Sequence, residues 1–236
     1  MRQLIILISN QLSLVRLKII PLKKLRLFII GIIIISGICS SSATFLLGIA
    51  NMQYILGEED NVLLITAPDV TTPITSIIPI FPATALRNCT GVLTVSPETL
   101  GINILYRDSN FPVTVRGITS EYFKITNIKI IEGSNIFEIN TKDQIHNLRG
   151  AVIGKTLAQI QHLELGDSIE LTGTLSDSTV ELEVVGILEH GTQGDSEILA
   201  PLWAGQVLIG ADSDSVTLMR IQFDSDKTSK SEIRKL

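Results

Sequence analysis

From Leu27 to Ala50 the chain reads LFIIGIIIISGICSSSATFLLGIA, 24 residues without a charge, thirteen of them Leu, Ile or Phe. The others are Gly, Ala, Ser, Thr and Cys, small enough for a helix packed in lipid. At about 1.5 Å per residue a helix of this length covers roughly 36 Å, enough to cross a hydrocarbon core of about 30 Å with some tilt. The pattern therefore predicts a transmembrane helix over 27–50. Ser36, Ser40, Thr44 and Gly48 recur in it every four residues, flanked by Gly37 and Ser41, which puts a small, slightly polar stripe on one face. These four are candidate helix-packing residues; the competing reading is that the hydroxyls bond their own upstream carbonyls. No other 18-residue apolar stretch exists in the sequence, so a partner helix is expected from another chain.

Beyond residue 58 the periodicity changes to short alternating runs. Strands are predicted at 61–67 (NVLLITA), 101–106, 113–115, 151–153, 168–172 and 216–223. The clearest is 179–188, where Val180, Leu182 and Val184 alternate with Glu181 and Glu183. Helices are predicted at 155–162, with Leu157 and Ile160 on one side, and at 203–209. Gly166-Asp167 and Gly173 punctuate them as turns. The sum is an α+β domain over 58–223, in two lobes, with a polar tail at 224–236.

Charge divides the chain at the same place. The formal net charge of −5 and mean hydropathy of +0.38 are averages over two chemistries. Residues 1–57 carry six basic groups (Arg2, Arg16, Lys18, Lys23, Lys24, Arg26) and no acid, whereas residues 58–236 carry thirteen basic and twenty-four acidic groups, net −11. The positive-inside rule then places residues 1–26 in the cytoplasm and everything after about residue 50 outside, in a plasma membrane. Residues 3–20 fit an interfacial helix beneath the inner leaflet, or else a disordered basic tail. A cleavable signal peptide shares the basic start, but Phe45-Leu46-Leu47 continues the apolar run past Ser41-Ser42-Ala43. A lipoprotein signal needs a small residue before its cysteine, and Ile38 precedes Cys39. An acidic external part argues against nucleic acid as a partner.

Catalytic chemistry leaves little trace. Gly154-Lys155-Thr156 imitates the end of a phosphate-binding loop, but the first glycine would fall at Arg149, and Ala151-Val152-Ile153 reads as strand. His146, His162 and His190 have no metal-pair spacing, and His162 sits at a predicted helix end. His190 adjoins Glu189 without an identifiable nucleophile. Asp212-x-Asp214 and Asp224-x-Asp226 lack the glycine and terminal Glu of a calcium loop. Cys39 lies in the predicted span and Cys89 outside it, so no internal disulfide is expected. Asn88-Cys89-Thr90 is a glycosylation sequon on the external side. No enzymatic activity, metal or cofactor is expected.

Several runs occur in an order that resembles a known family. They are Val113–Ile118 (VTVRGI), Ile131-Glu132-Gly133, AVIGKTLA at 151–158, LELGDSI at 163–169, LEVVGILE at 182–189, and GTQGDSEILAPLW at 191–203 with Gln206. Together, behind a basic N-in first helix, they resemble the extracytoplasmic core domain of FtsX-like/MacB-type ABC transporter permeases. The resemblance covers about residues 15–224. It implies a permease half that pairs with a separate cytoplasmic ATPase, packs its first helix against further permease helices or a dimer mate, and moves lipoproteins, lipids, peptides or drugs outward. It also implies an external domain of two lobes that transmits motion or docks partner proteins. The family carries three more membrane helices after that domain, whereas this sequence runs to Leu236, about where the second would begin. A truncated product, half of a split permease and a stand-alone anchored domain are all expectations compatible with it. The alternative function is a single-pass anchored binding module outside the cell.

Overall fold

The computed structural model describes residues 61–106, 110–138, 149–191 and 193–228. The predicted transmembrane segment, with Ser36, Ser40, Thr44 and Gly48, lies outside them, as do residues 1–26 and most of the polar tail. Among the described residues no helix is long and apolar enough to cross a membrane. In chain order the elements are β1 (Val62–Ile65), β2 (Ile78–Pro79), α1 (Pro82–Arg87), β3 (Val92–Tyr106), β4 (Phe111–Ile118), α2 (Tyr122–Ile125) and β5 (Lys129–Gly133). They continue with β6 (Gly150–Gly154), α3 (Lys155–Gln161), β7 (Ser168–Gly173), β8 (Thr179–Glu189), β9 (Glu197–Pro201), α4 (Leu202–Ile209), β10 (Ser215–Val216) and β11 (Leu218–Phe223). Single 3-10 turns occur at Pro73–Thr75 and Gln193–Ser196. The domain is α+β, as its sequence periodicity indicates.

Strand β3, 15 residues long, organises the rest. Its first half pairs antiparallel with β11, from Val92↔Phe223 to Glu98↔Leu218. Its second half pairs with β4 on one side, through Thr99↔Gly117 to Leu105↔Phe111, and with β7 through Asn103↔Gly173 to Tyr106↔Glu170. From there β7 pairs β8, β8 runs parallel to β6, β6 pairs β9, and β9 runs parallel to β4. The pairings close on themselves, so β3, β4, β9, β6, β8 and β7 form a six-stranded barrel. Its interior follows the two-residue alternation of each strand. Leu105, Val113, Val115, Ala151, Ile153, Ile169, Leu171, Val180, Leu182, Val184, Ile198 and Ala200 are all buried in one cluster. A barrel of so few strands is narrow enough for side chains to fill.

Outside the closed circuit, β1 pairs β11, and the β2–β10 ladder and α1 cover a second apolar cluster containing Ala83, Leu86, Val95, Val216, Met219, Ile221 and Phe223. A third cluster, with Ile118, Tyr122, Ile136, Val152, Leu188 and Leu199, takes in residues of α2, β4, β6, β8 and β9. The barrel cluster and the second cluster thus share one uninterrupted strand, β3. The ends of the described domain also meet: Val62 pairs Gln222, and Phe223 N donates to Asn61 O at 2.9 Å.

Helix α4 connects the barrel with the second cluster. Ala204 and Leu208 enter the barrel cluster, while Leu202 packs against the other. Three glycines on neighbouring strands make room for it. A Cβ at Gly101 of β3 would meet Ile209 Cγ2 at 2.6 Å; one at Gly117 of β4 would meet Gly205 Cα at 2.9 Å; one at Gly173 of β7 would collide with Leu208 O. Buried Gln206 then fixes the following turn, its Nε2 donating to Ser213 O at 2.9 Å and Ser215 O at 3.0 Å.

Several local expectations need correction. Ile160 does not share the buried face of α3: Leu157 and Ala158 are buried there, and Ile160 is 55% exposed. The run 216–223 is two strands. It breaks at Thr217, whose hydroxyl accepts from Leu100 N at 2.8 Å where the chain passes from pairing β2 to pairing β3. The first half of β3, β5, β9 and the short helices α1 and α2 carry little periodicity of their own, and tertiary pairing creates them.

Replacing Gly205 by Ala would drive the new methyl into Thr99 Oγ1 and to 2.7 Å from Gly117 Cα. The expected cost is about 1–3 kcal/mol, the usual range for overpacking a filled core. Denaturant titration of the full chain in detergent, followed by Trp203 fluorescence, checks it; an unchanged midpoint contradicts the close seating of α4.

Candidate functional site

The most distinctive side-chain chemistry lies where β3 changes partners. Glu98 sits at that changeover, Arg116 is on β4, Glu197 opens β9 and Arg220 is on β11. All four are buried, Glu98 completely. Alternation explains their common location: Val95, Thr99, Gly101 and Leu105 take the other face of β3, so Glu98 faces the opposite side, as does Arg116 relative to Val113, Val115 and Gly117. Charged side chains here would be very costly alone, so their pairing decides whether the fold tolerates them.

The pairing is complete and continuous. Arg116 presents Nε and Nη2 to Glu197 Oε2 and Oε1 at 2.9 and 3.2 Å, a fork-on-carboxylate arrangement. Its Nη1 donates to Glu98 Oε2 at 2.9 Å. Arg220 Nε donates to Glu98 Oε1 at 2.8 Å, and its Nη2 to Glu98 Oε2 at 3.3 Å. Two positive and two negative groups therefore form a neutral chain, Arg220–Glu98–Arg116–Glu197, across four strands. Tyr122 of α2 covers it, with the Arg116 and Arg220 guanidinium carbons 5.8 and 5.6 Å from the ring centroid.

Electrostatics follow from this enclosure. Burial by itself would push the Arg116 pKa down, but Glu197 and Glu98 outweigh it and hold the guanidinium well above its ordinary value. Burial pushes the Tyr122 phenol up to about 12, against the opposing pull of the two arginines. These groups are locked as ion pairs and have no nucleophile among them. The arrangement suits holding four strands in one register.

The residues singled out in sequence are dispersed. Gly154, Lys155 and Thr156 form the junction of β6 and α3, and a Cβ at Gly154 would collide with the Gly194 and Asp195 backbone, so this glycine is needed for close packing of that turn. Lys155 Nζ pairs with Glu189 Oε1 at 2.7 Å, so the carboxylate beside His190 is engaged elsewhere. The Asp195 carboxylate accepts from the backbone N–H groups of His190 and Gly191, closing that loop. His162 ends α3 in the left-handed conformation, φ 51°. Among the described residues no group of three His, Cys, Asp or Glu side chains could hold a metal ion. Sequence reading missed Glu98, Arg116, Glu197 and Arg220. A partial signal existed, since Arg116 and Arg220 interrupt apolar runs and Glu197 stands directly before one, but Glu98 lies among Ser96, Pro97 and Thr99, and nothing in the sequence shows that the four converge.

Removing one member should cost much more than removing a neutral pair. Arg220→Met is expected to destabilise the full chain by about 3–5 kcal/mol, leaving Glu98 over-negative in a buried site. Adding Glu98→Gln should recover at least about 1 kcal/mol, because the Arg116–Glu197 pair then stands alone and neutral. Chemical denaturation of both variants measures the coupling, and simple additivity would contradict it. Tyr122 adds a pH test. Its folded pKa lies above the unfolded value near 10, so the stability it contributes is complete below pH 10 and is lost as pH rises towards 12. Tyr122→Phe should flatten the stability profile between pH 10 and 12 relative to the parent.

The comparisons with known proteins agree with this architecture. The extracellular domain of the noncanonic ABC-type transporter YknZ from Gram-positive bacteria superposes with a TM-score of 0.52 at 18% identity, covering 74% of this chain and 86% of that one. The periplasmic region of MacB from Actinobacillus actinomycetemcomitans gives a TM-score of 0.56 at 16% identity, covering 74% and 79%. At such identities the likeness establishes the fold. No curated protein matches the sequence. The family resemblance read from the ordered runs between Val113 and Gln206 is borne out by a sequence match to the MacB-like periplasmic core domain over residues 27–235. Because that match spans most of its length, the chain belongs to the MacB-like periplasmic core domain family.

Proposed function

We propose that this chain is a permease component of an ABC-type export or lipoprotein-release transporter, with its folded domain outside the cytoplasmic membrane. A separate ATPase subunit hydrolyses ATP, and this chain contributes no catalysis of its own. Its N-terminus is cytoplasmic, residues 27–50 cross the membrane, and Ser36, Ser40, Thr44 and Gly48 face another helix. The external domain transmits motion. The supporting observation is the buried chain Arg220–Glu98–Arg116–Glu197. β1 and β11 are the first and last strands of the described fold, and they pair with each other. A displacement applied to that pair reaches Glu98 through Arg220, and reaches β4 and β9 through Arg116. A buried, geometrically fixed ion-pair chain passes such a displacement on with little slack, because sliding any strand would leave a charge unpaired in a low-dielectric site.

Membership of the family favours an ATPase-linked role over a free-standing binding module. The test is affinity purification of the tagged full chain from its native membrane in mild detergent. Co-purification of a stoichiometric ABC ATPase subunit, identified by mass spectrometry, is the expected outcome. Recovery of the chain only as a monomer would overturn the proposal and favour a single-pass anchored binding module.

A further inference from the structure

A cleft of about 550 Å³ lies between α3 and β5, away from the buried charge chain. Its apolar lining comes from Ile131, Ala158, Leu163, Leu165 and Ile187. Ile131, Ala158, Leu163 and Ile187 also belong to or pack against the barrel cluster, so this part of the lining is anchored in the core. Leu165 differs: it remains 44% exposed at the cleft.

Two further features give the cleft a direction and a sign. Among the described strands β5 pairs only with β8, leaving its other edge without a strand neighbour. A register shift between Ile130 and Glu132 makes Ile131 a bulge residue, and such irregularities commonly re-aim side chains at strand edges. The lining also includes the charged side chains of Glu132, Lys155 and Glu164, together with His162. Lys155 is bound to Glu189 at 2.7 Å. Glu132 and Glu164 are exposed and make no ion pair among the described residues. An apolar floor with two exposed carboxylates suits an extended polypeptide that brings aliphatic side chains and a positive charge.

We propose that the cleft between α3 and β5 docks an extended segment of a partner protein in which Lys or Arg alternates with aliphatic residues. Its aliphatic side chains pack on Ile131, Leu165 and Ile187, and its cations meet Glu132 and Glu164. The proposal does not depend on motion being transmitted through the domain, and it is read by binding rather than by association with an ATPase, so the two can fail separately.

The experiment uses the full chain in detergent micelles with Ile and Leu methyl groups isotopically labelled. Two synthetic pentapeptides, Lys-Ile-Lys-Ile-Lys and Glu-Ile-Glu-Ile-Glu, are titrated to millimolar concentration and followed by NMR. The basic peptide should shift the methyl signals of Ile131, Leu163, Leu165 and Ile187 saturably, and the acidic one should leave them unmoved. Glu132→Gln with Glu164→Gln, both at exposed positions, should weaken the basic peptide about tenfold while leaving the unperturbed spectrum in place. Raising the salt concentration should weaken it similarly. Equal shifts from the acidic peptide, shifts centred elsewhere, or no shift at millimolar peptide would overturn the proposal.

Discussion

Glu98 stands where one strand must serve two sheets. Up to that residue β3 pairs with β11; from Thr99 onwards it pairs with β4, and β7 joins it from Asn103. A changeover of this kind weakens a sheet, since the ladder on one side stops before its replacement begins. Glu98 compensates with both carboxylate oxygens, taking Arg220 from the strand that is ending and Arg116 from the strand that is starting. Arg116 then reaches Glu197 on β9, so the register of four strands hangs on one neutral chain of charges. Thr217 reinforces the point, with its hydroxyl accepting from Leu100 N and donating to Glu98 O at 3.2 Å. The barrel cluster and the second cluster beneath β11 are distinct apolar cores that meet at this junction.

A second constraint is steric. Helix α4 enters the end of the barrel because Gly101, Gly117 and Gly173 leave no side chains in its path. Its own Gly205 meets Gly117 almost backbone to backbone, beside the Thr99 hydroxyl. The helix then reaches from the barrel cluster to the cluster beneath β11, through Ala204 and Leu208 at one side and Leu202 at the other. Polar and steric couplings therefore run in parallel between the same two cores. Motion of one relative to the other requires both to yield.

The cleft at α3 and β5 belongs to the opposite regime. Its polar residues lie at the surface, where solvent screens them and substitution is cheap. Such a site can be tuned to a partner without disturbing the junction. Within one domain the buried charges are paired across four strands, whereas Glu132 and Glu164 stand at the surface.

Much of the barrel was legible in the sequence because alternation is a local property. Val180, Leu182 and Val184 announce an inner face without reference to any neighbour, and Lys155 to Gln161 reads as helix from its own spacing. The charge asymmetry about residues 27–50 is likewise written in order along the chain, as are the ordered runs that identify the family. Other features depend on residues distant in sequence meeting in space. Ile160 looked like a core residue until the sheet's position left it in solvent. Glu98, Arg116, Glu197 and Arg220 read as scattered charges, because their stability comes from pairing across as many as 122 positions. Composition and periodicity determined the class of the domain and its separation from the basic N-terminal part. Only tertiary structure decided that the strands close, that α4 fills their end, and that four buried charges cancel, since each of these is a sum over contacts no single segment contains.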